Sequence, residues 1–333
     1  MDFNFSEEQL ELRKRFSELC AAEIAPLAAE VDSSESFPEK SWKKLSESGF
    51  FSIMAPEQYG GKCMDLISGL VALEEVAAAC ASTAMAAGTS AWCAAKTIEM
   101  FAADSIKEKY LPAMAEGKSV GAFATTEAGA GSDLSAMVTK AEEEDGGYVI
   151  TGGKSYVSNA PYANFVIILA KTESGGAPGF SAFLVPTDTD GLRLGTPIKT
   201  MGMRGALACR IKLVDCKVPR ENLIGEPGKG LKLALSAIDY TRLSVSATAL
   251  GIARAAFAAG KEYAETRQSF GKPLGKHQEV AFKVSDMFME SDVTRQLMYH
   301  AAWQKQQGAK CSSMIAAAKV SAVDTDRKST RLN

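Results

Sequence analysis

The spacing of apolar residues predicts a helical first part, a β-rich middle part and a helical last part of the chain. Over the first 120 residues apolar positions recur at helical spacing, and Ser6 with Gln9 has the pattern of a capping box at a first helix. Pro38 begins a further helix, which Gly49 closes. Residues 70–100 are alanine-rich and nearly uncharged, which predicts a helix packed on most of its sides.

Between residues 121 and 225 the pattern changes to that of strands. Four segments rich in β-branched and aromatic residues are separated by turn signals, and no helical segment lies between them. Such a series predicts a middle antiparallel β-domain and not a dinucleotide-binding α/β unit. The strands are Tyr148–Thr151, Phe165–Leu169, Phe180–Val185 and Arg210–Val214, with turns at Asp145-Gly146-Gly147 and Ser174-Gly175-Gly176.

The helical pattern returns from Gly230. The stretch from Leu231 to about Arg267 contains no proline, so it predicts one helix of up to about 55 Å. A turn at Gly271–Gly275 leads to a second long helix from His277 to about Gln307, and a third begins near Cys311. The predicted organisation is an N-terminal helical domain (1–120), a middle β-domain (121–228), a C-terminal helical domain (229–325) and a tail (326–333).

Composition excludes several classes of function. The 37 basic and 40 acidic residues give a formal net charge of −3, so no nucleic-acid surface is expected. No uninterrupted apolar run reaches the roughly 20 residues of a membrane span, and the N-terminus lacks the layout of a signal peptide. Seven scattered cysteines favour reduced thiols and a cytoplasmic protein. With only two histidines, neither a histidine-based metal site nor a Ser-His-Asp triad is expected.

Residues 123–133 carry the strongest chemical signal in the chain. They read Phe-Ala-Thr-Thr-Glu-Ala-Gly-Ala-Gly-Ser-Asp, with the hydroxyls of Thr125 and Thr126 followed by Gly129 and Gly131. Hydroxyls donate and accept hydrogen bonds at short range, and glycine lets backbone N–H groups approach a ligand. The loop suits a flat heteroaromatic ring with a phosphate tail. A solvated turn would give the same pattern, and no following helix or third glycine completes a dinucleotide fingerprint.

Together with this loop, several segments resemble the acyl-CoA dehydrogenases, FAD-dependent enzymes that desaturate acyl-CoA thioesters. The resemblance covers essentially residues 1–325 and implies a multi-domain α+β fold with helical, β and helical domains in that order. The matching segments agree with the family in order and spacing. They are Met1–Phe3 with Glu7–Gln9, Pro56–Gly61, Lys107–Pro112, Lys199–Arg204, Val218–Gly225 and Arg267–Leu274.

The resemblance implies a set of FAD-binding residues. Within one subunit they are Phe123, Thr125, Thr126, Gly131 and Ser132, with Tyr156, Val157 and Ser158 where the family usually has Trp-Ile-Thr. A second set is expected to reach the FAD of a neighbouring subunit, and consists of Arg267, Ser269, Phe270, His277 and Gln278. Taken in isolation, Tyr156–Ser158 would more often be ordinary strand residues and Arg267 a solvated helix-end charge, while His277 is equally well the first residue of a helix.

For the substrate, the resemblance implies that Ser132, Asp239 and Arg242 line the acyl-CoA channel. An intrahelical ion pair between Asp239 and Arg242 explains the same spacing without a ligand. One branch of the family has its catalytic glutamate at the position of Thr241, and threonine cannot act as that base. The base is therefore expected in a segment beyond Asn333, and the catalytic residue of this chain is unknown.

The sequence therefore predicts FAD-dependent α,β-dehydrogenation of an acyl-CoA by a homo-oligomer, a dimer or a tetramer. Electrons are expected to pass to an electron-transfer flavoprotein. The ending from Asp326 to Asn333 does not resemble the family, so we expect a C-terminally truncated and inactive chain, although a natural short tail is an alternative. Two other functions stay open: a related flavin oxidase or reductase, and a non-catalytic fragment that binds FAD or acyl-CoA.

Overall fold

The structure is a computed structural model that describes residues 4–174 and 177–331. The predicted segment Met1–Phe3, the Gly175-Gly176 part of one predicted turn, and Leu332 and Asn333 of the predicted tail lie outside the described residues. The α-helices are α1 Glu7–Leu19, α2 Ala28–Ser34, α3 Glu39–Glu47, α4 Leu66–Ala79, α5 Ala81–Gly88, α6 Lys96–Phe101, α7 Asp104–Ala115, α8 Gly230–Thr266, α9 Gln278–Gln306 and α10 Ser312–Arg331. The strands are β1 Gly121–Ala124, β2 Lys140–Glu144, β3 Gly147–Ser158, β4 Phe165–Ser174, β5 Ala177–Pro186, β6 Leu192–Leu194, β7 Ala208–Pro219, β8 Leu223–Ile224, β9 Gln268–Ser269 and β10 Lys272–Pro273.

The chain divides into two compact units, which differ from the predicted domains. One unit, the helical unit, consists of Met1–Ala28, Met64–Met85 and Arg242–Asn333. The other, the β unit, consists of Ala29–Cys63 and Ala86–Thr241. The domain boundaries at 120, 228 and 325 stay predictions.

An eight-stranded sheet forms the centre of the β unit, with strand order β6-β7-β3-β2-β4-β5-β8 and β1 beside β4. The four predicted strands are confirmed within β3, β4, β5 and β7. Most pairings are antiparallel as expected, but β4 has two parallel neighbours. These are β2, at Lys140 opposite Lys171, and β1, in register from Gly121 opposite Phe165 to Ala124 opposite Ile168. The parallel pairing of β1 with β4 is possible because the long segment that carries β2 and β3 connects β1 to β4.

The strand β4 has apolar side chains on both faces because both faces are covered. Val166 and Ile168 belong to one buried cluster, with residues of β3, β5 and β7. Phe165 and Ile167 belong to a second cluster, with residues of the helices α6 and α7. The resulting run of consecutive apolar residues is typical of a strand buried on both sides.

In the helical unit, a buried ion network connects α4 to three other helices. The Glu75 carboxylate accepts from both Arg254 guanidinium nitrogens, at 2.5 and 2.6 Å, and from Arg13 Nε at 3.1 Å. Its neighbour Glu74 accepts from Arg295 Nη2 at 2.7 Å and from the Tyr299 hydroxyl at 3.1 Å. These contacts explain why two adjacent carboxylates are tolerated inside an otherwise uncharged helix.

Helix ends follow the sequence signals in most places. Ser6 and Gln9 form the predicted capping box of α1. Gly49, two residues after the end of α3, has a positive φ of 75° and closes that helix as predicted. The predicted helix over 70–100 is interrupted, because Cys80 has an extended backbone between α4 and α5. A π-helical segment, Thr89–Ala95, follows before α6.

Helix α8 runs without interruption from Gly230 to Thr266, close to the predicted bounds. In the described part of the chain it is the one helix long and apolar enough to cross a membrane, judged by length and composition alone. Charged residues such as Arg242 and Arg254 interrupt its apolar sequence, so it contains no uninterrupted apolar run of about 20 residues. Half of the helix's most apolar stretch is buried inside the protein, and core helices of soluble proteins meet the same criterion, so the evidence for a membrane span is weak.

Candidate functional site

The loop after β1 is fixed to strand β3 by backbone hydrogen bonds. Glu127 and Ala130 bond to each other in both directions, with N···O distances of 2.9 and 3.3 Å, so the loop turns back on itself. The Ser155 N–H donates to the Thr126 carbonyl at 2.8 Å. The two segments singled out in the sequence, 123–133 and 154–158, are therefore neighbours in the β unit.

A buried ion pair lies beneath the loop. Lys154 Nζ donates to Glu127 Oε1 at 2.7 Å and to the Thr125 carbonyl at 3.2 Å. The exposed fractions of the two side chains are 0% and 4%, so the pair is shielded from water. Because one ammonium bonds to both the carboxylate and the loop backbone, it fixes the path of the loop through Thr125.

The Glu127 carboxylate accepts two further hydrogen bonds, from the backbone N–H groups of Val138 at 2.7 Å and Thr139 at 3.1 Å. Burial by itself would raise the pKa of Glu127, but the hydrogen bonds from Lys154, Thr139 and Val138 outweigh it, and the pKa lies below its usual value. Glu127 is therefore an ionised anchor of the loop.

Strand β3 has a bulge where it passes the loop. Lys154 pairs with Ile211 and Val157 with Cys209, so three steps on β3 face two on β7. Tyr156 lies in the bulge with a φ of 56°, and its side chain is 66% exposed. Val157 returns to the core and Ser158 is half-buried. The bulge directs the aromatic ring away from the sheet, a position that sequence alone did not predict.

The surroundings of the loop glycines fit a bound ligand. A Cβ added at Gly129 or Gly131 would meet no described atom within 4 Å, and neither residue has a positive φ. The glycines are therefore not required by the turn, and they leave open space beside the loop. Ser132 is exposed, and the predicted contacts Phe123, Thr125 and Thr126 are half-buried.

This arrangement fits the flavin end of FAD. Phe123, Thr125, Thr126, Gly131 and Ser132 would hold the ring and the phosphate chain from the loop, while Tyr156–Ser158 would face it from β3. Hydroxyl groups and backbone amides are suitable partners for the polar edge of an isoalloxazine and for phosphate oxygens. Open space beside Gly129 and Gly131, on a loop bonded to β3 at Ser155, is the observation that supports the fit.

Asn159 is a structural residue of this site that the sequence analysis did not select as a candidate. Its φ is 66°, and its amide nitrogen donates to the carbonyls of Ala86 at 2.9 Å and Gly121 at 3.4 Å. The bonds fasten the end of β3 to the beginning of β1. Asparagine tolerates a positive φ better than most residues, which is the one sequence signal that could have identified it.

Position 241 is connected to the loop through the π-helical segment 89–95. The Thr241 hydroxyl donates to the Ala237 carbonyl at 3.0 Å and is also hydrogen-bonded to the Cys93 thiol. On the same segment Ser90 Oγ accepts from the Gly121 N–H at 3.0 Å, at the start of the strand that leads into the loop. Burial raises the pKa of Cys93 to about 12, so its thiol stays protonated and cannot act as a base.

The two channel residues lie three positions apart on α8. Asp239 is buried and belongs to the β unit, whereas Arg242 is half-buried and begins the helical unit's part of α8. Their role toward a substrate stays a prediction.

The second predicted set, Arg267 to Gln278, belongs to the helical unit. The Arg267 carbonyl accepts from the Leu274 N–H at 2.8 Å and closes the β9–β10 hairpin. His277 Nε2 lies 3.2 Å from the Ser269 carbonyl, and its ring is in edge contact with Phe270 at 6.2 Å between centroids. Phe270 has a φ of 50° and is 96% exposed, and Arg267 is exposed as well. The hairpin thus presents a cation and an aromatic ring at its surface.

Three family profiles match the chain in succession. The acyl-CoA dehydrogenase N-terminal domain matches residues 6–118, the middle domain matches residues 122–216, and the C-terminal domain matches residues 228–332. The last match extends into the segment 326–333 that the sequence analysis set apart.

Individual proteins agree with the profiles. A probable acyl-CoA dehydrogenase, YngJ, from Bacillus subtilis is 40% identical over 96% of this chain and 85% of its own length. The butyryl-CoA dehydrogenase structure from Megasphaera elsdenii has a TM-score of 0.95 at 35% identity, covering 100% of this chain and 88% of that one. A structure described as the electron transferring flavoprotein of Acidaminococcus fermentans has a TM-score of 0.96 at 35% identity, covering 99% and 87%. The chain belongs to the acyl-CoA dehydrogenase family of FAD-binding oxidoreductases that act on CH–CH bonds.

Proposed function

We propose that this chain catalyses α,β-dehydrogenation of an acyl-CoA thioester and that an electron-transfer flavoprotein takes up the electrons. Bound FAD supplies the hydride acceptor, which no protein side chain can provide. The observation that carries the proposal is the open space beside Gly129 and Gly131, on a loop that is hydrogen-bonded to β3 at Ser155, next to Tyr156–Ser158. In this proposal Thr125, Thr126 and Ser158 orient the flavin, while the Glu127–Lys154 pair keeps the loop in place.

The substrate class and the acceptor are supported by the proteins that the chain is similar to. One structural relative is a butyryl-CoA dehydrogenase, and another is described as an electron transferring flavoprotein. We include a cytoplasmic location in the proposal. It is supported by the seven cysteines, none of which forms a disulfide and six of which are buried.

A flavin oxidase is the second candidate, and Tyr156 is the observation that favours it. The family usually has tryptophan here, and in this chain a smaller ring stands 66% exposed on its bulge. A smaller shield leaves more of the flavin edge open to oxygen. Reoxidation rates separate the two candidates, because a dehydrogenase reacts faster with an electron-transfer flavoprotein and an oxidase reacts faster with oxygen.

The proposed FAD site predicts a specific effect of the Gly131→Val substitution. The backbone accepts a side chain here, since no described atom lies within 4 Å of the added Cβ and φ is not positive, so the fold should be unchanged. The valine would occupy space that the cofactor needs, so FAD affinity should fall at least about tenfold, or 1.4 kcal/mol. Titration with FAD, followed by visible absorbance, measures this change.

Gly202→Val is the matched control, because it adds the same side chain at another open glycine of the β unit. Its FAD affinity should equal that of the parent. Equal affinity in the Gly131→Val variant and the parent would reject the proposed position of the cofactor.

We further propose that the FAD site is completed by the Arg267 hairpin of a second subunit. An apolar stripe supports self-association: Phe282, Met289 and Val293 lie on one side of α9 and are 57%, 56% and 62% exposed. Their spacing of seven and four residues keeps them on one helix face. Contiguous exposed apolar surface of this kind marks interaction sites. The exposed Arg267 guanidinium suits a pyrophosphate, which it can bind with two nitrogens.

This proposal predicts that Arg267→Ala weakens FAD binding by about 1.5–3 kcal/mol, the contribution of a charge-assisted hydrogen bond. The control is Lys261→Ala, which removes an exposed cation from the same region of α8 and should change the affinity by no more than about 0.5 kcal/mol. The FAD affinities of both variants are measured at one protein concentration, and the oligomeric state is determined by sedimentation. A dilute monomer that holds FAD as tightly as the oligomer would disprove the shared site.

A further inference from the structure

Three cationic side chains lie together on the outer face of the β unit's sheet. Arg193 of β6 is directly opposite Lys212 of β7, and Arg210 is two residues before Lys212 on the same strand. Residues two apart on a strand share a face, as do directly opposite residues. The alternating burial of β7 confirms this arrangement, since Arg210 and Lys212 are exposed while Ile211 between them is buried. We call these three residues the basic triplet.

The triplet lines a cavity of about 370 Å³. Gly153, which pairs with Lys212, and Gly195 contribute bare backbone, so the floor of the cavity is not filled by side chains. Ala128 and Leu194 add apolar surface. The volume is within the range of small-molecule sites.

No described carboxylate neutralises the triplet. None of its three members forms an ion pair with a residue in 4–174 or 177–331, whereas Lys140 on β2 pairs with Glu142 at 2.8 Å. Like charges directly opposite each other on a sheet are destabilising. The Arg193–Lys212 pair therefore costs stability in the free protein, and this occurs in a chain whose net charge is −3.

We propose that the basic triplet and its cavity form a binding site for a small phosphate-bearing anion. A phosphate group removes the repulsion between Arg193 and Lys212, and the guanidinium groups can bind its oxygens with two nitrogens each. Three cations on two adjacent strands match a charge of −2 to −4, which a diphosphate group carries. The apolar wall at Ala128 and Leu194 accommodates a carbon portion of the ligand.

The cavity is distinct from the proposed FAD contacts. Its lining includes Ala128 and Ser155, which are neighbours of the flavin-binding residues in sequence but are not among them. A test on the FAD-loaded protein therefore measures a second anion, since the cofactor's own phosphates are already in place.

The test is a calorimetric titration of the FAD-loaded protein with inorganic pyrophosphate at low ionic strength, with thermal unfolding measured in parallel. We expect saturable binding below about 1 mM and a rise in the unfolding temperature, because a ligand that binds the folded state stabilises it. Lys212→Gln should reduce the affinity about tenfold or more. Without pyrophosphate the same variant should be at least as stable as the parent, because the repulsion with Arg193 is gone.

The matched control is Lys217→Gln, which removes one exposed lysine from the same strand outside the cavity. Unchanged affinity in this variant, with the loss in Lys212→Gln, supports the site. An equal loss of pyrophosphate affinity in both variants would show that binding depends on the overall charge of the strand and not on this site, and would overturn the proposal. The absence of saturable binding would overturn it as well.

A second titration, with adenosine 3′,5′-bisphosphate in the presence and absence of acyl-CoA, identifies the source of the phosphate. Competition with acyl-CoA assigns the triplet to the phosphorylated end of the substrate, and independent binding assigns it to a separate phosphate-bearing effector. Both results support a phosphate site. Failure of the bisphosphate and of pyrophosphate to bind to a protein that holds FAD would reject this inference and leave the proposed function intact.

Discussion

Replacing Lys154 with methionine is expected to lower the free energy of unfolding of the β unit by about 3–5 kcal/mol, the cost of breaking a buried ion pair. Methionine has a similar length and is apolar, so packing is nearly preserved. The Glu127 carboxylate, however, stays buried with only two of its three donors, Val138 and Thr139. The Thr125 carbonyl loses its bond to Lys154 as well, so the loop itself should loosen.

Urea unfolding followed by intrinsic fluorescence measures this loss as a lower midpoint concentration. Lys171→Met is the control, because this exposed lysine on β4 forms no ion pair with another described residue, and its substitution should change stability by no more than about 0.5 kcal/mol. The double variant Glu127→Gln, Lys154→Met removes both charges and should recover part of the stability. A Lys154→Met protein as stable as the parent would show that the pair does not fix the loop.

The same pair predicts how stability depends on pH. Because the folded-state pKa of Glu127 is lower than its value in the unfolded chain, its ionisation stabilises the fold at pH values above about 4.3. This contribution is lost as the pH falls through the folded-state pKa. In the Glu127→Gln, Lys154→Met variant the corresponding part of the acid sensitivity should be absent.

Local signals predicted much of the fold because they act between residues close in sequence. The capping box of Ser6 and Gln9 and the proline-free stretch of α8 gave element bounds within one or two residues. The short strands were missed for physical reasons. β2 reads Lys-Ala-Glu-Glu-Glu, with one buried residue, and β6 has three residues, so each is stabilised by its neighbours in the sheet and not by its own propensity.

In the candidate site, the sequence indicated the loop hydroxyls and the Tyr156–Ser158 segment as candidates. It did not indicate which residues hold these two segments in position. Glu127 and Lys154 are 27 residues apart, and no local pattern indicates that they pair. The bulge that exposes Tyr156 depends on the register between β3 and β7, which only the assembled sheet determines. Long-range contacts of this kind leave no periodic signal in a single sequence.

Position 241 predicts the largest effect on activity. Removing the α-proton of a thioester needs a base, and a positioned base contributes about 10²–10⁴-fold to the rate. Thr241 cannot serve, since its hydroxyl is un-ionised at neutral pH and bonds to the Ala237 carbonyl and to Cys93. A carboxylate at position 241 is therefore expected to change the rate at which acyl-CoA reduces the bound FAD.

Thr241→Glu should accelerate that reaction, because one branch of the family has its catalytic glutamate at this position. Thr241→Gln is the matched control, since glutamine has the same size and lacks the carboxylate. The glutamate variant should exceed the glutamine variant by about 10²-fold or more, with a rate that rises with pH as the new carboxylate ionises. Equal rates in the two variants would show that position 241 does not face the α-carbon.

The measurement that tests the account most directly is anaerobic mixing of FAD-loaded Thr241→Glu protein with butyryl-CoA, followed by flavin absorbance and by analysis of the thioester product. The account predicts that the flavin is reduced, that crotonyl-CoA forms in equal amount, and that an electron-transfer flavoprotein then reoxidises the flavin. A protein that holds FAD and binds butyryl-CoA, but whose flavin stays oxidised while no crotonyl-CoA forms, would contradict it.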